Sequence, residues 1–211
     1  FYGMPAKSSD SVIFSDEYNH GSIVDGCRLS RAKKVIFKHN NLEDLAKKIK
    51  ENDLPNKLIV TEGVFSLEGE ITVVSDYAKI AKETGCKLMV DDAHGVGILG
   101  DGGGGTPELF NCADDIDVVM GSLDKAMGGT GGYLCGSKEL IKFLRVASRP
   151  SVLSSAFPVP IAGGMLKAIK LVESYTHERT SLFLKAEKVR KRLEQIGLRI
   201  VGEDIFPAIA V

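Results

Sequence analysis

Short apolar segments alternate with amphipathic ones along most of this chain, and this alternation limits the possible folds more than any other feature. The apolar segments, rich in Val, Ile, Leu or Phe, are 11–14, 35–37, 57–62 and 88–90. Between them, Leu42, Leu45 and Ile49 recur at helical spacing after the candidate N-cap Asn41, and Gly85 stops a later helix. Strands and helices that alternate in this way predict an α/β domain whose mainly parallel sheet is flanked by helices on both faces.

A single lysine lies in a glycine-rich loop between two further strand candidates. The apolar run 116–119 leads into Gly121 and Ser122, Lys125 follows, and several glycines precede the apolar run 133–135. An amine on such a loop can be surrounded by protein, lose solvation and become a nucleophile that forms a Schiff base. Most lone lysines are surface residues, so the rest of the chain must decide between these two interpretations.

Polar residues follow other strand candidates at the positions where ligands bind to parallel sheets, beyond the carboxyl ends of the strands. The segment 88–90 runs directly into Asp91 and then His94, and Ser66 lies in the turn after another strand. A lysine, a carboxylate and a histidine together suit pyridoxal phosphate, which needs an amine, a partner for its ring nitrogen and donors for its oxygens. From the pattern alone, Asp91 could instead pair with an arginine or cap a helix, and His94 could be a satisfied core histidine.

Composition disfavours several other classes of protein. The chain has 211 residues, a net charge of −1 and 44% hydrophobic residues, which indicates a soluble protein that binds no nucleic acid and has no membrane span. The four cysteines lack metal-binding spacing, so we expect neither a zinc site nor a disulfide framework, and a cytoplasmic location. Neither glycine cluster forms the Gly-x-Gly-x-x-Gly pattern of a nucleotide-binding turn.

The two ends of the sequence stop in the middle of a pattern, so we expect a piece of a longer protein. Residues 1–4 begin within a pattern, and residues 205–211 resemble the start of a strand. We expect residues 1–175 to form a cofactor-binding large domain that lacks its N-terminal part. After an amphipathic helix that begins near Pro158, residues 176–211 are expected to form a linker helix and the truncated start of a smaller C-terminal domain.

Five ordered segments resemble the successive motifs of the α-oxoamine synthases: SDEYNHGSIVDGCRLS, VTEGVFSLEGE, LMVDDAHGVGILG, VMGSLDKAMGGTGGY and RPSVLSSAFPVP. The resemblance extends to about Tyr175 and implies a pyridoxal phosphate-dependent transferase of fold type I. It implies an acyltransferase that condenses glycine, alanine or serine with an acyl-CoA thioester and, in most members of the family, releases carbon dioxide. It also implies a homodimer with its active site at the subunit interface.

The resemblance further implies three residues with chemical roles. Lys125 would carry the cofactor as a Schiff base and then remove the Cα proton of the substrate. Asp91 would pair with the pyridine nitrogen of the cofactor, and His94 would form a hydrogen bond with its phenolic oxygen. The presence of all three argues against a non-catalytic scaffold subunit, whereas an aminotransferase or aldolase of the same fold type stays an alternative.

Other matching residues would bind the cofactor. His20 would stack on the ring, and Ser66 would lie on its phenolic side. Ser122 would contact the phosphate, and Ser154 or Ser155 would reach the phosphate of the neighbouring subunit. The alternative for the serines is a turn or capping role, and for His20 a position at a helix start. Two histidines without a surrounding motif are interpreted as surface residues, His39 and His177.

The chain departs from the family pattern in three respects. Asp124 precedes the lysine where relatives more often have glycine or serine; this acid could raise the pKa of the lysine or contact a neighbour. The glycine run 101–106 replaces a segment that usually carries a basic residue. The 211 residues also lack the upstream glycine-rich phosphate segment and the downstream arginine that the family uses to hold the substrate carboxylate.

Overall fold

The computed structural model describes residues 10–202 and 206–207, and within them six strands form one sheet. The strands are β1 Ser11–Asp16, β2 Lys33–Phe37, β3 Asn56–Glu62, β4 Lys87–Asp91, β5 Val118–Ser122 and β6 Gly132–Gly136. Their order across the sheet is β2-β1-β3-β4-β5-β6, with five strands parallel and β6 antiparallel to β5. The predicted α/β class with a mainly parallel sheet is confirmed.

Helices follow most of the strands, and capping residues mark the start of α2 and the end of α3. They are α1 Gly21–Leu29, α2 Leu42–Lys50, α3 Val74–Thr84, α4 Thr106–Leu109, α5 Lys138–Ala147, α6 Arg149–Val152, α7 Val159–Ser174 and α8 Thr176–Gln195. The predicted cap of α2 is confirmed, since the Asn41 side chain accepts a hydrogen bond from the Asp44 amide at 2.8 Å. Gly85 ends α3 in the left-handed conformation, with φ at 66°, which glycine adopts without steric cost.

The core lies on both faces of the sheet. Val12 and Phe14 of β1 point to one face, where they join the buried side of α2 and α3, while Ile13 joins residues of α1 on the other. This alternation explains why the strands read as continuous apolar runs, because consecutive side chains leave a strand on opposite faces and both faces are covered. The sheet is therefore held in place from both sides.

The C-terminal part of the described chain contacts the strand-end loops. The guanidinium of Arg179, on α8, donates hydrogen bonds to the carbonyl oxygens of Val172 and Asp101, so α8 is tied to α7 and to the glycine run. The division into domains at residue 175 stays a prediction. The expected start of a strand at 205–211 falls largely outside the described residues, as do residues 1–4.

Two properties of the described residues bear on the earlier expectations about membranes and thiols. No helix in ranges 10–202 and 206–207 has the length and apolar character that crossing a bilayer requires. All four cysteines are free thiols; Cys27, Cys86 and Cys112 are buried, and Cys135 is exposed.

Candidate active site

Three carboxylates lie at the carboxyl ends of neighbouring strands. Asp16 ends β1, Glu62 ends β3 and Asp91 ends β4, and the sheet register pairs Glu62 directly with Asp91. The adjacent strand β5 ends at Ser122, and the loop after it carries Lys125. The prediction that Asp91, Ser122 and Lys125 lie at or just beyond strand ends is confirmed.

His94 lies within electrostatic reach of several charged groups at this edge. The pKa of the half-buried imidazole is below its ordinary value, chiefly because of burial and then because of the positive charge of Lys125. The negative charges of Asp91 and Asp124 raise this pKa, whereas His20, like Lys125, lowers it. Groups that lie at or beyond the ends of β1, β4 and β5 thus act electrostatically on His94. Its depressed pKa favours a neutral imidazole at pH 7, with one N–H to donate.

The lysine loop is a compact turn built by main-chain hydrogen bonds. The Leu123 amide donates to the Gly131 carbonyl at 2.8 Å, and the Gly128 amide donates to the Lys125 carbonyl at 3.0 Å. The loop packs closely on the segment after β4, since a Cβ placed on Gly97 would lie 2.6 Å from the Ala126 side chain. Lys125 itself is exposed in the described chain. The described residues therefore do not enclose the amine, and its role as a nucleophile stays a prediction.

Asp124 contacts a neighbour, which answers one question that the sequence left open. The hydroxyl of Ser122, a buried residue, donates a hydrogen bond to the Asp124 carboxylate. Asp124, the acid before the lysine, is therefore hydrogen-bonded to Ser122, the last residue of β5. This bond fixes the direction of the Ser122 hydroxyl at the base of the lysine loop.

His20 has a helix-start role in this structure as well as its predicted position near the site. Its Nδ1 accepts a hydrogen bond from the Ser22 amide at 3.2 Å, so the exposed side chain caps α1. Its main-chain N–H donates to Oε1 of Glu62 at 2.5 Å. His20 is thereby attached through its backbone to the end of β3.

The remaining predicted serines lie on the surface of the described chain. Ser66 is exposed in the turn after β3, and Ser154 and Ser155 are exposed beyond α6. In the described part of the chain, none of the three donates or accepts a hydrogen bond through its side chain. The structure does not link them to the residues around His94, so their cofactor contacts stay predictions.

Sequence reasoning missed Glu62, which is treated there only as the end of a strand. Its side chain is buried, with the residue 4% exposed. Burial, together with the neighbouring charges of Asp91 and Asp16, raises the pKa of the carboxyl to about 7, against the hydrogen bond from the His20 amide. Its position in the sequence could have indicated a place at the site, because Glu62 ends β3 just as Asp91 ends β4.

We expect the substitution Glu62→Gln to stabilise the protein above pH 7 and to have little effect near pH 4. The folded-state pKa exceeds the unfolded one, so the folded protein binds the extra proton and wild-type stability falls as the pH rises from about 4.5 to about 7. Glutamine keeps an acceptor for the His20 amide without the buried charge, so the gain at pH 8 should be about 1–3 kcal/mol. Urea unfolding at pH 4 and pH 8 measures it, with Glu83→Gln on the exposed side of α3 as the control. Equal stability of Glu62→Gln and wild type at pH 8 contradicts a buried charge at this position.

A second missed carboxylate, Asp92, anchors the segment that follows β4. Asp92 is completely buried, and its two oxygens accept hydrogen bonds from the amide of Thr106 at 2.9 Å and from its hydroxyl at 2.7 Å. Burial raises the pKa of this carboxyl to about 7 in spite of the two bonds. Asp92 thus ties the end of β4, and with it Asp91 and His94, to the start of α4.

The glycine run that departs from the family pattern is held by an acid of the chain itself. Glu108, on α4, accepts hydrogen bonds from the amides of Gly102 at 2.9 Å and Gly104 at 2.6 Å. Because the Glu108 carboxylate accepts from these two amides, the glycine run folds back on α4.

The interpretation of His39 as a surface residue is wrong, whereas His177 is exposed as predicted. Only 12% of the His39 side chain is exposed. Its Nδ1 lies 2.8 Å from Oδ1 of Asp16, and its Nε2 lies 2.8 Å from Oε2 of Glu70. His39 is therefore a largely enclosed side chain that lies between two acids at the same edge of the sheet.

Comparison with protein families and curated proteins gives consistent matches. Residues 4–207 match the family model described as aminotransferase class I and II. The 8-amino-7-oxononanoate synthase of Alkaliphilus metalliredigens is 40% identical over 202 residues, which cover 94% of this chain and 51% of the relative. The putative 8-amino-7-oxononanoate synthase of Acetivibrio thermocellus is 42% identical over 189 residues, covering 90% of this chain and 49% of the relative.

Solved structures resemble the fold closely. A serine palmitoyltransferase from S. paucimobilis with a bound PLP-myriocin aldimine has a TM-score of 0.87 and 30% identity, covering 91% of this chain and 50% of that one. An 8-amino-7-oxononanoate synthase from Francisella tularensis has a TM-score of 0.79 and 30% identity, covering 94% of this chain and 58% of that one. The chain spans about half the length of the curated relatives it matches.

Proposed function

The chain belongs to the aminotransferase class I and II family, and from that premise we propose that the whole protein is a pyridoxal phosphate-dependent acyltransferase of the α-oxoamine synthase type. It condenses a small amino acid, glycine, alanine or serine, with an acyl-CoA thioester and releases carbon dioxide. It acts in the cytoplasm as a homodimer. The observation that carries this proposal is the placement of Asp91 and Lys125 at and just beyond the carboxyl ends of the adjacent strands β4 and β5, with His94 in the segment that follows Asp91.

The polar groups of these residues that make no hydrogen bond within the described chain fit the cofactor. Oδ1 of Asp91 accepts a hydrogen bond from the Ala93 amide at 3.1 Å, while Oδ2 has no hydrogen-bond partner in residues 10–202 and 206–207. The Lys125 amine is exposed and likewise makes no hydrogen bond within those ranges. A free carboxylate oxygen, a free amine and a neutral imidazole are the groups that the cofactor needs for its ring nitrogen, its aldehyde and its phenolic oxygen.

Each residue then has a defined task. Bound pyridoxal phosphate supplies an electron sink that stabilises negative charge at the substrate Cα. Lys125 attaches the cofactor through its amine and later takes the Cα proton, while Asp91 keeps the pyridine nitrogen protonated. His94 donates its N–H to the phenolic oxygen. His20 stacks on the ring, its backbone fixed by Glu62.

The serines complete the binding site in this proposal. Ser66 lies on the phenolic side, and Ser154 or Ser155 reaches the phosphate bound by the neighbouring subunit. Ser122 contacts the phosphate from the end of β5. A hydroxyl has a single hydrogen to donate, and in this structure Asp124 accepts it, so Asp124 and the phosphate would compete for the Ser122 hydroxyl.

Product analysis of the complete natural protein tests the proposal. With pyridoxal phosphate, an acyl-CoA and each of the three amino acids in turn, we expect release of both carbon dioxide and free CoA with one of them. A reducible visible absorption band should accompany cofactor binding. Formation of a keto acid without release of CoA contradicts the proposal and favours an aminotransferase. Failure of the folded protein to bind pyridoxal phosphate favours a scaffold subunit.

A further inference from the structure

His39 occupies a position at the strand-end edge that the proposed function does not use. It follows β2, the outermost parallel strand, and its ring lies between two aromatic side chains. Tyr18 stacks on it with centroids 4.3 Å apart and planes 19° apart, and Phe65 meets it edge-on at 4.4 Å and 88°. Two rings and two carboxylates therefore contact the imidazole.

The two aromatic partners belong to the two segments that carry predicted cofactor contacts. Tyr18 lies in residues 17–20, here called the His20 segment, and Phe65 lies in residues 63–70, here called the Ser66 turn. His39 reaches both segments by stacking on one side and edge contact on the other.

The polar contacts of His39 join the bases of the same two segments. Asp16, which accepts from His39 Nδ1, also accepts a hydrogen bond from the Tyr18 amide at 2.9 Å. Glu70, which lies 2.8 Å from His39 Nε2, closes the Ser66 turn because its carbonyl accepts from the Phe65 amide at 2.9 Å. The His39 amide itself donates to Oε1 of Glu17 at 2.8 Å. One side chain and its own backbone therefore bind both segments.

We propose that His39 is a positioning residue that holds the His20 segment and the Ser66 turn together, so that the cofactor site is already formed before the cofactor binds. The role of that site rests on the proposed function, whereas the contact between the two segments does not. His39 acts through the segments that it joins and touches neither cofactor nor substrate in this scheme.

Charge makes this contact dependent on pH. Burial lowers the pKa of His39, but the hydrogen bonds to Asp16 and Glu70 and the charges of these acids outweigh burial and raise the pKa above its ordinary value. The charged groups that face the imidazole are Asp16 from β1, Glu70 from the Ser66 turn and Glu17, which accepts from the His39 backbone. Since the folded pKa is raised, the contact is complete below the ordinary histidine pKa and weakens as the pH rises through the folded value.

The substitution His39→Gln tests the proposal, with His177→Gln on the exposed surface of α8 as the matched control. In the cofactor-free full-length protein, we expect faster amide exchange at Tyr18 and Phe65 in His39→Gln, with α3 unchanged. The affinity for pyridoxal phosphate should fall on the order of tenfold, because a hydrogen bond to a charged group is lost on each side of the ring. The affinity of the wild type for pyridoxal phosphate should decline at alkaline pH as His39 loses its proton. The affinity of His39→Gln should not show that decline.

A second variant covers the case in which His39→Gln does not fold. Glu70→Gln removes one charge from a side chain that is 39% exposed, and the alkaline decline in affinity should move to lower pH because His39 then loses its proton more easily. Unchanged exchange in both segments of folded His39→Gln, or an unshifted decline in Glu70→Gln, overturns the proposal. If the wild type binds no pyridoxal phosphate, the proposed function fails, and the exchange rates alone decide the role of His39.

Discussion

Replacing Lys125 with alanine should abolish condensation and the reducible absorption band of the cofactor-loaded protein, while the fold stays intact. The same amine is proposed to attach the cofactor and to take the Cα proton. Loss of a general base alone lowers a rate by roughly 10²–10⁴-fold, and loss of the attachment adds to this effect. The fold should survive because the side chain is exposed and makes no hydrogen bond in the described residues. Steady-state kinetics with released CoA as the readout, together with circular dichroism, measure both expectations.

Another lysine provides the control for this substitution. Lys138 is exposed at the start of α5, and Lys138→Ala removes the same charge outside the proposed site. After borohydride reduction and peptide mapping, wild type and Lys138→Ala should carry the label on Lys125. Full activity in Lys125→Ala, or a label on a different lysine, contradicts the assignment.

The strands and their ends could be predicted from sequence because a sheet covered on both faces leaves a strong local signal. In β4 the apolar residues 88–90 lie between two charged residues, and Asp91 marks the carboxyl end of the strand. The rule that parallel strands place their carboxyl ends at one edge then brings Asp91, Ser122 and Lys125 together without any knowledge of side-chain contacts. The roles of these residues came from the resemblance to a family, which a spacing pattern alone does not supply.

The contacts of His39 could not be predicted because its partners are distant in the sequence. Asp16 lies 23 residues before it and Glu70 lies 31 residues after it. Only the order β2-β1-β3 in the sheet brings the segments around His39 together. An isolated histidine without a motif looks the same in sequence whether it is exposed, as His177 is, or hydrogen-bonded between two acids, as His39 is.

The pair Asp91 and Asp92 shows a second limit of sequence reasoning. The two residues are chemically identical and adjacent, but consecutive side chains leave an extended backbone in opposite directions. Asp91 is half-buried at the proposed site, whereas Asp92 is completely buried against Thr106. The distinction depends on glycines from two other segments of the chain, whose approach to Asp92 only the structure reveals.

These glycines lead to the largest stability effect that we expect. A Cβ placed on Gly105 would lie 1.7 Å from Oδ2 of Asp92, and Gly105 has φ at 86° and ψ at −161°, a conformation that is essentially restricted to glycine. Gly63 and Gly95 approach the same carboxylate, at 2.2 Å and 2.3 Å for a Cβ placed on each, so Asp92 cannot move away from the added atom. We expect Gly105→Ala to lower the free energy of unfolding by about 3–5 kcal/mol, from backbone strain and overpacking together.

Urea unfolding at pH 7 measures this loss against Gly26→Ala as the control. Gly26 lies within α1, and a Cβ placed there would have no atom within 4 Å. Alanine should therefore stabilise α1 by roughly 0.5–1 kcal/mol, because it restricts the unfolded chain without a steric cost in the helix. If Gly105→Ala were instead to lose less than about 1 kcal/mol, Asp92 would be free to move, and the carboxylate could not fix the end of β4 that carries Asp91. A large loss in Gly105→Ala together with a small gain in Gly26→Ala would show that Asp92 is a rigid buried anchor next to Asp91.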